Sequence, residues 1–226
     1  MDAFVLVHSP LVGPATWSLV VDEMQRRGIT AIAPELPDSR SVEPPFWKHH
    51  AEAVARGMEA IPTGQRVVLV GHSGGGMLLP AVRAVSGRDV AAYVFVDAGI
   101  PEDGKSRLDF FGAEEAQGFR AGAVDGLLPT WTEANLAAVL HDPRVRKQFV
   151  SELRPLPLAV YEEPIPVFDG WPDAPCAYLQ FTATYDEPAA QARQAGWTYR
   201  RLDGTHFHML NEPVSVADTL VALAAR

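Results

Sequence analysis

The chain has 226 residues, of which 47% are hydrophobic and 21% charged, and a formal net charge of −9. That balance is ordinary for a soluble globular protein, the length suits one α/β domain with a substantial core, and the negative surface disfavours nucleic acid. A single cysteine, Cys176, excludes an intrachain disulfide, and no apolar run approaches the roughly 18 residues of a membrane-spanning helix.

The opening Met1-Asp2-Ala3-Phe4 has no basic stretch before its apolar run and no small-residue cleavage pattern after it. No signal peptide and a cytoplasmic location are therefore the expectation. Ala3 to Val7 reads as a short buried strand, closed by loop residues after His8. Trp17 to Gln25 has apolar residues at helical spacing and stops at Gly28. Ile29 to Ala33 reads as a second strand, Phe46 to Ile61 as a helix, and Arg66 to Val70 as the most strand-like run in the chain. Gly74 to Val85 is the next predicted helix, ended near Gly87, and Val90 to Val96 the next strand.

Alternating strands and helices imply a parallel sheet with right-handed crossovers. From Pro101 to about Asp173 the rhythm changes. Prolines crowd there (Pro155, Pro157, Pro164, Pro166, Pro172), and only two helices suggest themselves, Glu133 to Leu140 and Pro143 to Leu153. Afterwards the sheet rhythm returns: strand Ala177 to Phe181, helix Pro188 to Ala195, strand Thr198 to Leu202 and helix Val214 to Ala225. The pattern predicts one α/β domain over 1–226. Its core is 1–100 and 174–226, and a helical cap inserted at about 101–173 stands over the carboxyl ends of the strands, where ligands bind in open α/β sheets.

Gly71-His72-Ser73-Gly74-Gly75 has the G-x-S-x-G form, directly after a predicted strand and directly before a predicted helix. A serine on so sharp a turn needs neighbours without side chains, and the turn would lift its hydroxyl above the sheet. The Gly-Lys-Ser/Thr of a phosphate-binding loop is absent, and the G-x-G-x-x-G spacing is not met. A serine hydroxyl needs a base, usually a histidine, steadied by an acid. Gly204-Thr205-His206-Phe207-His208 falls after the last predicted strand, and His206 is the better base, with His208 two positions on as its competitor. For the acid, Asp186 and Asp97 both follow strands, and Asp186 is favoured. An N-cap role for Asp186 and a loop-stabilising role for Asp97 are the plainer alternatives.

At these residues the chain resembles α/β-hydrolases of the esterase and hydroxynitrile-lyase-like branch, which includes plant methyl-ester hydrolases and bacterial relatives. The resemblance covers nearly the whole chain. It rests on Val7-His8 with Trp17, on Gly71-His72-Ser73-Gly74-Gly75, on Val96-Asp97-Ala98 with Pro101, on Arg154-Pro155-Leu156-Pro157-Leu158 and on His206-Phe207-His208-Met209-Leu210 before Pro213. It implies an α/β-hydrolase fold, Ser73 as nucleophile, His206 as base and an acid after the strand before the last, which favours Asp186. The loop is shorter than the family pattern and Asp186 falls late in it, so Asp97 stays open.

A second departure concerns the oxyanion. The family pattern places a backbone N–H donor where this chain has Pro10, in His8-Ser9-Pro10-Leu11, and proline has none. Gly74 would still supply one donor, and the Leu11 N–H or the Ser9 hydroxyl the second. Losing one donor costs about 100- to 1000-fold in rate.

The expected activity is that of a serine hydrolase cleaving a small or medium apolar ester, lactone or thioester through an acyl-enzyme, without metal or other cofactor. Phe110, Phe111, Trp131 and Trp171 would line an apolar pocket under the cap or form the cap's own core. Pro10 keeps two alternatives open: a lyase or cyclase on the same fold, and a ligand-binding protein with little turnover. The expected partner is a small apolar molecule, neither nucleic acid nor membrane.

Overall fold

The computed structural model describes residues 2–225. Six strands form one parallel sheet: β1 (Ala3–Val7), β2 (Ala31–Ile32), β3 (Val67–His72), β4 (Val90–Val96), β7 (Cys176–Gln180) and β8 (Thr198–Arg201), in the spatial order β2-β1-β3-β4-β7-β8. Both faces are covered by helices, which is why β1 is apolar throughout, β3 is apolar up to Gly71-His72, and both are buried at every position. Successive residues still point to opposite faces. Phe4, Leu6, Val68, Val70, Val94 and Val96 pack on one side against α1 (Ser18–Arg26) and α10 (Pro213–Ala224). Val5, Val7, Leu69, Tyr93, Phe95 and Tyr178 pack on the other against α2 (Phe46–Gly57), α3 (Leu79–Ser86) and α8 (Asp186–Gln194). The remaining core helix, α9 (His208–Asn211), follows β8.

Between β4 and β7 lie α4 (Ala113–Gly122), β5 (Leu127–Leu128), α5 (Glu133–Leu136), α6 (Pro143–Glu152), β6 (Leu156–Pro157) and α7 (Ala159–Glu162). β5 and β6 form a two-residue antiparallel ladder. Part of this insertion has a core of its own, built from Leu108, Ala116, Leu128, Leu156, Val160 and Tyr161 around Phe46 of α2. Leu136, Leu140, Phe149 and Leu153 instead join the main core.

Several elements differ from the sequence reading, among them the helix predicted over Glu133 to Leu140, which spans only Glu133–Leu136, and three differ for a clear local reason. β2 is two residues long, not five, because the Ile29 N–H bonds back to Met24 O at the end of α1, across left-handed Gly28 (φ 74°). The helix predicted from Gly74 begins as a tight 3₁₀ turn over Ser73–Leu78, and only from Leu79 is it α-helical. Three consecutive glycines are poor α-formers and let the backbone approach its neighbours closely. Helix α4 was not foreseen: it buries only Ala116, so its sequence has no apolar stripe to read. Among the described residues no helix is long and apolar enough to cross a membrane.

Candidate active site

Ser73 stands where β3 turns into its helix, at φ 53°, a left-handed conformation costly for any residue with a Cβ. The turn closes because its flanks have no side chains. A Cβ on Gly71 would sit 2.6 Å from the Gly76 Cα, and one on Gly75 2.6 Å from the Val7 carbonyl oxygen. Such strain persists only where the surroundings over-determine it, and it places the Ser73 hydroxyl above the sheet, half-buried.

Next in the sheet, β4 runs beside β3 with Val96 opposite His72, so the following residue, Asp97, emerges beside the serine turn. It too is left-handed, at φ 41°, and the Tyr178 hydroxyl pins the next residue, bonding both Ala98 N (3.2 Å) and Ala98 O (2.6 Å). Asp97 is fully buried. Its carboxylate accepts from Phe181 N (2.6 Å), Thr182 N (3.1 Å) and the Thr182 hydroxyl (2.8 Å), and its Oδ2 lies 3.1 Å from His206 Nδ1. Buried carboxylate oxygens are costly unless hydrogen-bonded, and here both are.

His206 therefore has an oriented ring, Nδ1 toward Asp97 and Nε2 on the far side. His72 fixes it from below. The His72 Nε2 donates to the His206 carbonyl oxygen (2.9 Å), and the two ring centres lie 4.3 Å apart with the rings tilted by 37°. Since a carbonyl only accepts, His72 carries its proton on Nε2, and burial holds its pKa well below the usual imidazole value. His208 begins α9 with its ring against Phe181, away from this cluster.

The favoured acid, Asp186, is not where the sequence reading put it. It lies in the first turn of α8 with its side chain 65% exposed, bonded to Gln180 Nε2 (2.5 Å) and Arg201. The residue before it turns inward instead. Tyr185 stacks on His206 (5.3 Å, 6°), and its hydroxyl lies 3.4 Å from Ser73 Oγ, which has no other side-chain partner among the described residues. Burial raises the Tyr185 pKa, so it stays a neutral phenol.

The oxyanion side also departs from expectation. The Leu11 N–H donates to Ser9 Oγ (3.3 Å), so it supports the serine hydroxyl rather than facing Ser73. Ser9 Oγ and the Tyr161 hydroxyl, 3.1 Å from each other, both overlie the backbone of Gly74, each 3.1 Å from where a Cβ would be. Arg107, unremarked in the sequence, approaches from the cap and donates from Nε to the Gly74 carbonyl (3.0 Å).

In front of Ser73 is a cavity of about 20 Å³, walled by Phe110, Phe111, Tyr161, Tyr185 and Arg107. Of the four expected pocket aromatics, Phe110 and Phe111 are at the cavity. Trp171 packs on Tyr93, Phe95 and Trp197 in the core, and Trp131 borders an open apolar groove on the cap with Leu11 and Phe119. Tyr161, Tyr185 and Arg107 were missed because a lone aromatic or arginine in a cap of weak periodicity has no spacing signal.

A strained serine elbow at the end of a central parallel strand, with an Asp–His pair on the neighbouring strand ends, defines an α/β-hydrolase architecture. The family model described as "Alpha/beta hydrolase family" matches residues 4–219. The chain belongs to that family. It is 30% identical over 184 residues to a carbendazim hydrolyzing esterase of Nocardioides sp. (strain SG-4G), covering 70% of this chain and 71% of that protein. It is also 30% identical over 123 residues to methylesterase 1 of Arabidopsis thaliana, where the match covers 50% of this chain and 47% of the relative. An extracellular α/β-hydrolase from a Paenibacillus species superposes with a TM-score of 0.78 at 19% identity over 99% of both chains, a likeness of fold.

Proposed function

We propose that the protein is a serine esterase that cleaves a small or medium, largely apolar ester, lactone or thioester through an acyl-enzyme. One observation carries this: the strained Ser73 elbow ends β3 beside β4, whose end presents the buried Asp97 carboxylate 3.1 Å from His206 Nδ1. The esterase relatives support the same class. In the reaction, His206 Nε2 takes the Ser73 proton as Oγ bonds to the acyl carbon, and Asp97 stabilises the imidazolium that forms. The tetrahedral oxyanion is held by the Gly74 N–H and the Ser9 hydroxyl. Its collapse expels the alcohol, which receives the proton from His206. Water then attacks the acyl-enzyme, gives its proton to His206, and releases the acid and free Ser73.

The test is labelling of the intact protein with a fluorophosphonate, read by mass spectrometry, beside Ser73→Ala and His206→Ala. Stoichiometric labelling at Ser73, lost in Ser73→Ala and strongly slowed in His206→Ala, is expected. A folded wild-type protein that stays unlabelled overturns the reading. Pro10, with no N–H to offer, favours one alternative, a lyase or cyclase that uses the same Ser73–His206 pair without accumulating a strong oxyanion. It predicts labelling at Ser73 together with inertness toward a panel of simple esters and lactones.

A further inference from the structure

Arg107 is 2% exposed, and no carboxylate among the described residues forms an ion pair with it. Two of its nitrogens are used on backbone: Nε on the Gly74 carbonyl (3.0 Å) and Nη1 on the Val160 carbonyl (2.9 Å). The third, Nη2, is buried and has no partner. Glu163, the one carboxylate whose charge reaches it, is bonded to the N–H groups of Phe46 (2.6 Å) and Trp47 (2.7 Å) at the start of α2. Burial lowers the guanidinium pKa only to about 10, so it is charged at neutral pH.

An unpaired buried cation is among the costliest arrangements in a protein interior. A merely structural donor to two carbonyls needs no formal charge. Here the charge lines the cavity in front of Ser73, held by the backbone of the residue that follows the nucleophile. Two phenols, Tyr161 and Tyr185, complete a polar lining that an all-apolar substrate would not need. The guanidinium is also pre-oriented, so little side-chain entropy is lost when an anion joins it.

We infer that Arg107 is a specificity-determining residue that pairs, through Nη2, with a carboxylate carried by the ester, making the substrate a short ester with an anionic end. This rests on the esterase reading above. The cavity is closed down to about 20 Å³, so such a substrate enters by shifting the Phe110 and Phe111 rings, and its chain between carboxylate and scissile carbonyl is short.

The test compares matched esters: methyl hydrogen succinate against methyl butanoate for a carboxylate on the acyl side, and acetoxyacetate against ethyl acetate for one on the alcohol side. One charged ester of the two pairs is expected to exceed its neutral partner by about 10- to 100-fold in kcat/KM, the worth of a hydrogen bond to a charged group. The ratio falls to near one in Arg107→Met and is partly restored in Arg107→Lys. Equal or inverted ratios in the wild-type protein, or a ratio that Arg107→Met leaves intact, overturn the inference. Calorimetric titration with succinamate against succinamide, which differ only in one carboxylate, separates this from failure of the esterase reading, because it needs no turnover and no variant. Succinamate binding with succinamide silent supports the anionic subsite even if Ser73 proves unreactive, and silence from both or equal binding of both, with no charged-ester preference, overturns it.

Discussion

Asp97 Oδ2 lies 3.1 Å from His206 Nδ1, while Asp186 extends into solvent from the first turn of α8. The two carboxylates thus make opposite predictions. Asp97→Asn removes the charge that fixes the His206 tautomer and stabilises the imidazolium, and about a 10³- to 10⁴-fold loss of kcat is expected. Asp186→Asn is expected to stay within a few-fold of wild type. Initial rates on a simple ester and fluorophosphonate labelling rates measure both. Near-equal losses in the two variants would mean that Asp97 does not act through His206. Because Asp97 also accepts from Phe181, Thr182 and the Thr182 hydroxyl, the melting temperature of Asp97→Asn must be read beside its rate.

In the proposed reaction the Ser9 hydroxyl, placed against Gly74 and bonded to Tyr161 and the Leu11 N–H, stands in for a backbone donor. Ser9→Ala should therefore lower kcat by about 100-fold with little change in KM, the signature of a contact made only in the transition state. Pre-steady-state acylation with a chromogenic ester isolates the step. A variant with unchanged acylation would show that Gly74 alone holds the oxyanion.

The positions proposed for the nucleophile and base stand out in the sequence because such chemistry forces a local pattern. Ser73 needs Gly71 and Gly75 for want of space, and His206 follows the last strand. The acid was not, because any Asp past a strand end satisfies the same pattern, and the choice depends on which side chain the turn after β7 directs inward. That turn directs Tyr185 in and leaves Asp186 to Gln180 and Arg201. The parallel sheet was readable from its continuous apolar runs. The cap was readable only as a break in rhythm, since α4 buries a single alanine and β5 and β6 are two residues each. Arg107 is invisible to any local reading, as its importance lies in what it is not paired with.

The space around the elbow gives a stability prediction. A methyl group on Gly75 would meet the Val7 carbonyl at 2.6 Å and the His8 carbonyl at 2.7 Å, both backbone atoms of the adjacent strand end. Neither can rotate away, so Gly75→Ala is expected to destabilise by at least the ~1–3 kcal/mol typical of overpacking. Urea unfolding measures it. Gly118→Ala, where nothing lies within 4 Å on exposed α4, is the control and should be neutral or stabilising. Equal midpoints for the two variants would mean that the elbow relaxes more freely than its contacts imply.

Three buried histidines set the acid limit of the fold. Burial lowers the pKa of His8 to about 4 and of His50 to about 3, and holds His72 well below its usual value. All three are neutral in the folded protein at pH 5, whereas in the unfolded chain, with pKa near 6.5, they bind protons. The unfolded state therefore takes up more protons, and stability falls as pH drops through the interval from about 6.5 to about 4. Each such histidine contributes up to about 1.4 kcal/mol per pH unit there. Below about pH 3 to 4 the folded forms of His8 and His50 can protonate as well, and their share of the slope ends. Urea titrations at pH 7, 6 and 5 should show this fall. Replacing His50, whose Nε2 meets only the Ser39 hydroxyl (2.9 Å), with Gln should remove about one proton from the slope whatever its effect on absolute stability. A slope unchanged in His50→Gln would mean that His50 is already protonated, or accessible to protons, in the native state.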